Sequence, residues 1–247
     1  MSAPARVGGD LPAGRAGMPV HYRDVPAVTA DGVAVHRVHA DPDGSGLEMA
    51  VLVVADHGTR RVGAGRDELL YVLGGRGQAV VDGVAHDLVR DTAVRVAGDA
   101  AYELRSTGAE PLEVAVVSGR VDPGTPATAG PVSLDLADRA KHPAVSSREY
   151  QLLFDPDCGC SGMTQFVGYV PALRTPRHTH PYDEMLCIVS GTGTVEIEGV
   201  EQEVSAGWCY YLPRGTVHLV QNRAEEHLVE LGVFTPAGSP TQNTPVE

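Results

Sequence analysis

The chain has little of what marks a nucleic-acid binder, a membrane protein or a disulfide-stapled secreted scaffold. Lysine and arginine number 19 against 32 aspartates and glutamates, for a formal net charge of −13. No basic block with interleaved aromatics interrupts that excess, so nucleic acid is excluded as a partner on charge. Nowhere do the roughly 18 consecutive apolar residues of a spanning helix occur, which leaves no membrane partner. The opening stretch MSAPARVGGDLPAGRAGMPV lacks an apolar signal core, and the expectation is a cytoplasmic protein. Four cysteines in 247 residues do not make a disulfide framework. Cys158 and Cys160 form a CGC pair with no second pair to complete a four-sulfur zinc centre, which favours a turn before a strand. Cys187 and Cys209 lie in apolar runs and read as core packing.

Long helical periodicity is also missing, and short strand-like runs stand in its place, punctuated by glycine and proline. The first half holds EMAVLVVA (48–55), LLYVLG (69–74), GQAVVDG (77–83), TAVRVAG (92–98), AYELRS (101–106) and LEVAVVS (112–118). The second half repeats the rhythm with TQFVGYV (164–170), MLCIVSG (185–191), TVEIEG (194–199), WCYYLP (208–213), TVHLVQN (216–222) and HLVELGVF (227–234). Sliding the chain against itself by 116 residues superposes DELLYVLGGRG from Asp67 on DEMLCIVSGTG from Asp183 without a gap. Glu68 then meets Glu184, and Gly75, Gly77 and Gly83 meet Gly191, Gly193 and Gly199, as turns needing positive φ would require. The fold class is all-β, two small antiparallel barrels in tandem. The expected organisation is an extension over 1–40, a first barrel over 41–119, a linker over 120–147, a second barrel over 148–236 and a tail over 237–247.

Chemistry concentrates in the second barrel. His178 and His180 are two apart and share one face of an extended strand. Glu184 follows a short turn, and His218 returns from a later strand. Three imidazoles and a carboxylate on the inner face of a barrel suit a divalent first-row metal. At the same register in the first barrel stand Val62, Ala64 and Tyr102, with only Glu68 kept, so that barrel is expected to be structural.

These motifs resemble those of the cupin superfamily. The first motif, HxH, three residues, Glu, six residues, Gly, is matched by His178, His180, Glu184 and Gly191, although Ala172 stands where its opening glycine belongs. The second is matched without departure by Gly207, Pro213, Gly215, His218 and Asn222. With the repeat, the chain resembles bicupins, tandem jelly rolls in which one barrel keeps a metal. The resemblance implies one divalent metal per chain, iron or manganese first and nickel, copper, cobalt or zinc as alternatives, held by His178, His180, Glu184 and His218. It also implies a homodimer. It does not fix a reaction, because the superfamily spans dioxygenases, isomerases, decarboxylases, hydrolases and binding proteins. Ureidoglycine aminohydrolases share the architecture, with a different ligand pattern.

A metal with two open neighbouring positions could bind a chelating small-molecule substrate and oxygen together, which makes a dioxygenase or oxidase the leading expectation. Hydrolysis, isomerisation and non-catalytic ligand binding are the alternatives. Glu184 could be a ligand or a base. Strand parity offers Tyr169 and Tyr210 for orienting substrate or donating a proton. Gln165, Arg174 and Arg177 are the candidate substrate contacts, the arginines for a carboxylate. Asn222 reads as a tie for a strand connection, Trp208 as packing or interface, and PAGSPTQNTPVE as a loose tail or an arm across a partner.

Overall fold

The computed structural model describes residues 18–41, 46–121 and 130–246. The parts of the expected extension and linker at 1–17 and 122–129 lie outside the described residues. Alternating apolar runs bounded by turn residues become antiparallel strands arranged in two sheet pairs, and no α-helix occurs among the described residues.

In the first pair, a seven-stranded sheet runs in the order Ser133–Asp135, Thr92–Val96, Arg66–Gly74, Leu112–Arg120, Glu48–Val54, Val33–His39, Ala27–Ala30. It faces a four-stranded sheet of His57–Arg61, Ala101–Ser106, Gly77–Val81 and Val84–Leu88. Leu52, Leu70, Val94, Leu104 and Val114 fill the space between them. The second pair repeats the plan. Its seven-stranded sheet runs Val20–His21, Trp208–Leu212, Asp183–Ser190, Leu228–Thr235, Thr164–Val170, Glu149–Phe154, Lys141–Pro143. The facing six-stranded sheet runs Val200–Ser205, Thr192–Ile197, His218–Asn222, His178–Thr179 and Thr244–Pro245, with Leu173–Arg174 also paired to His218–Asn222. Leu186, Ile188, Val195, Ile197 and Leu212 form its core.

Two hairpins show how the repeat encodes turns. Asp82–Gly83 joins Val81 to Val84, and Glu198–Gly199 joins Ile197 to Val200. All four turn residues have positive φ (49°, 78°, 51° and 80°), the geometry a two-residue hairpin loop needs. Gly191, at φ 84°, also passes so close to the His227 carbonyl that a Cβ there would sit 2.6 Å from it.

The observed strands redraw the expected boundaries. Ala27–Ala30 and Val33–His39, within the expected extension, belong to the first large sheet. Val20–His21 crosses over to pair with Trp208–Cys209 in the second half, while Ser133–Asp135 from the expected linker returns to pair with Thr92–Val94 in the first. The two large sheets share a third core, in which Met49, Leu69, Tyr71 and Val117 meet Leu153, Val167, Met185 and Leu231. Cys187 and Cys209 lie in that core as cross-strand neighbours. CGC begins at the end of a 3-10 turn over Pro156–Cys158, which Gly159 caps at φ 85°, and burial pushes the Cys160 thiol up to about 12.

The tail is not loose. Thr244 pairs with Thr179 and Pro245 with His178, and the Val246 N–H donates to the Arg177 carbonyl at 2.9 Å. Although the side chains of Thr244 and Pro245 are exposed, their backbone completes the sheet that carries the histidines.

Candidate metal centre

The sequence places His178 and His218 on adjacent strands, and the register makes them direct cross-strand partners. His180 follows two residues on, and the candidate ligand atoms of all three lie within 4.8 Å of one another. This is the one such group of three or more among the described residues. Each Nδ1 meets a backbone carbonyl: His178 to Pro176 at 2.8 Å, His180 to Gln242 at 2.8 Å and His218 to Thr216 at 3.0 Å. A carbonyl oxygen only accepts, so each Nδ1 carries the proton and each Nε2 keeps its lone pair. Burial lowers the basicity of all three, His180 to about 4 and His218 well below the usual range. The rings are therefore neutral near pH 7, the form that binds a metal. Tyr182 stacks between His180 (centroids 4.8 Å apart, 10°) and Phe234 (3.9 Å, 16°), which holds the most exposed imidazole in plane.

Glu184 is 3% exposed, with its Oε2 3.7 Å from His180 Nε2. Burial first, then the charge of Glu230, raises its carboxyl to about 8. Ionising this buried carboxyl beside three neutral nitrogen donors calls for a nearby cation, which a divalent ion would supply. The donor set thus fits a first-row metal. The cavity in front of it measures about 60 Å³.

Tyr210 lines this cavity, and its hydroxyl donates to Glu230 Oε1 at 3.0 Å, with both groups buried. Burial raises the Glu230 carboxyl, and the Tyr210 bond partly offsets this. Glu230 escaped the sequence reading, although a lone carboxylate in the apolar run LVELGVF was a usable signal. Tyr169 borders the cavity but directs its hydroxyl to Gln151 Oε1 at 2.5 Å, and Lys141 Nζ lies 4.2 Å from its ring centroid.

Three expected substrate contacts lie elsewhere. Gln165 lies outside the cavity lining and is fully buried. Arg174 and Arg177 both grip Glu196, at 2.9 and 2.6 Å, on the half-exposed outer side of the sheet. A carboxylate from the same sheet had more claim on them than the pocket did. Arg148 lines the cavity instead, from a stretch, SSREY, that carried no sequence signal. Asn222 binds the Val170 and Glu226 carbonyls and accepts from the Ala224 N–H, tying the strand connection.

The first half shows what fills the corresponding place when histidines are absent. Arg60 grips Glu68 through Nε (3.0 Å to Oε2) and Nη2 (2.8 Å to Oε1), and the Tyr102 hydroxyl donates to Oε2 at 2.7 Å. Val62 is packed in the core. A guanidinium here neutralises the glutamate that the repeat aligns with Glu184.

The family model described as Cupin domain matches residues 165–234, which contain all three histidines, Glu184 and Glu230. No curated protein matches the chain by sequence. Among solved structures, a mutant of Bacillus subtilis oxalate decarboxylase OxdC is similar at TM-score 0.71 and 13% identity, over 94% of this chain and 80% of that one. Protein Ylba from E. coli is similar at TM-score 0.73 and 14% identity, over 88% and 89% of the two chains. A formate complex of Lactobacillus farciminis oxalate decarboxylase gives TM-score 0.71 and 12% identity, over 93% and 88%. Residues 165–234 match the Cupin domain model, and the chain as a whole is all-β and resembles cupin jelly-roll folds.

Proposed function

We propose that the protein is a bicupin metalloenzyme, with one divalent metal in its second barrel and a metal-free first barrel. The observation that carries this reading is the convergence of three Nε2 lone pairs, each imidazole fixed by its own Nδ1 bond to a backbone carbonyl. His178, His180 and His218 would hold the ion, with Glu184 as a fourth ligand. When bound, iron or manganese would supply Lewis acidity and an electron path between a chelated substrate and oxygen. The chain's own contribution is position and exclusion. Phe166, Leu186 and Val220 wall the cavity against water, and its volume of about 60 Å³ restricts substrates to small metabolites. An oxygen-using dioxygenase or oxidase is the first reading.

A second reading, proton transfer in hydrolysis or isomerisation, is favoured by the buried carboxyls. Glu184 can hold a proton near neutral pH, and Glu230, bonded to Tyr210, stands ready to exchange one. The exposed edge strand Ala27–Ala30 favours a homodimer as the working unit, which light scattering would test.

The decisive experiment is elemental analysis of protein purified without added metal or chelator, beside His178→Ala. Near one equivalent of iron or manganese, lost in the variant, supports the centre, and oxygen uptake with candidate substrates then separates oxygenase from hydrolase or isomerase. A wild type that neither carries nor accepts metal overturns the reading and leaves a ligand-binding barrel.

A further inference from the structure

Arg148 is the one arginine or lysine among the described residues that lines the histidine cavity. Its setting is tightly specified. The Ala144 N–H donates to the Arg148 carbonyl at 2.8 Å and closes the loop between them. Inside that loop Ser146 (φ 62°) and Ser147 (φ 59°) both occupy the left-handed region. L-residues avoid that region unless their surroundings hold them there, and such strain gathers at functional sites. Arg148 Nε donates to the Val145 carbonyl at 3.1 Å, which anchors the stem of the guanidinium. Its two terminal nitrogens have no protein partner among the described residues. Other arginines near the site are already committed, Arg174 and Arg177 to Glu196 and Arg214 to Asp183. The charge of Arg148 acts on His178, His180, His218, Glu184 and Glu230, so the guanidinium is within electrostatic reach of the whole centre.

A planar fork of N–H donors, anchored at its stem and open at its tip, matches an oxyanion. The cavity is small, and Glu184 and Glu230 crowd it with acidic groups, which favours a flat monoanion over a bulkier dianion. We propose that Arg148 recognises a carboxylate of the substrate, so that the centre acts on small carboxylic acids in preference to their neutral analogues. This assignment rests on the metal-centre reading above.

The test uses the full chain reconstituted with cobalt(II), whose visible spectrum reports changes at the ion. It is titrated with glycolate, with the neutral isostere glycolamide and with inorganic phosphate. Glycolate binds more tightly than glycolamide in the wild type. Arg148→Met shrinks that preference by about 10- to 100-fold, the range for losing a charged hydrogen-bond partner. Glycolamide affinity and cobalt stoichiometry stay as they were, Arg148→Lys retains part of the preference, and Arg174→Ala retains all of it. A preference unchanged in Arg148→Met overturns the proposal, as does an equal loss of both ligands or phosphate binding more tightly than glycolate. Protein that takes up no cobalt would instead sink the metal-centre reading. Calorimetric titration of glycolate into that metal-free protein then judges Arg148 separately: heat that disappears in Arg148→Met upholds it, and absent or unchanged heat overturns it.

Discussion

At the scale of single residues, the site is a contest between burial and charge. Glu184 holds its proton up to about 8 because burial outweighs every other influence on it. Its folded value lies above its unfolded one, so the stability it contributes is present at acid pH and is lost as pH rises towards about 8. In metal-free protein, the unfolding free energy of the wild type should therefore fall relative to Glu184→Gln across that window and level off above it. Urea titrations at a series of pH values would show this. Arg60 and Glu68 make the opposite case, a buried charge that has its partner. Removing the guanidinium in Arg60→Met strands the carboxylate and should cost about 3–5 kcal/mol. Adding Glu68→Gln should return much of that loss, read by the same denaturant titration. The three-histidine group was legible in the sequence because its two motifs have fixed internal spacing, although the meeting of His218 with His178 depends on strand register. Arg148 and the Glu196 partner of Arg174 and Arg177 were not, because which charges meet is decided by register between distant strands.

At the scale of elements, the edges of the fold do more than their polarity suggests. The apolar runs announced their strands well, since alternation and bounding glycines survive in any context. Strands such as Val200–Ser205 and Val84–Leu88, with mostly exposed side chains, gave no such signal. The tail was the largest misreading: polar and proline-rich, it looked loose, yet its backbone pairs with His178–Thr179 and its Gln242 carbonyl fixes the His180 tautomer. Ending the chain after Pro236 should leave the circular dichroism of the sheets largely intact. Metal affinity should drop about 10- to 100-fold, as loss of an outer partner of a ligating imidazole does. Competition with a metal indicator would measure it. An unchanged affinity would mean that the Gln242 carbonyl is dispensable.

At the scale of the molecule, the repeat predicted two similar halves, and the sheets follow that plan, but the seam between them could not be read from either half alone. Val20–His21 and Ser133–Asp135 each pair in the opposite half, and a third core of Met49, Tyr71, Val167 and Met185 joins the large sheets. Such sharing couples the halves, so heating should give one cooperative transition, with calorimetric and van't Hoff enthalpies in agreement. Two resolved transitions would mean that the seam is weak. The Arg60–Glu68–Tyr102 cluster gives this joined structure an asymmetry in its dependence on the cell. On the proposed metal-centre reading, the cation of the first half is encoded in the gene and arrives with the chain, whereas that of the second would be drawn from the metal supply. A chain made under metal starvation would thus have one half finished and serving as a brace, against which the other waits, shaped but inactive, until an ion arrives.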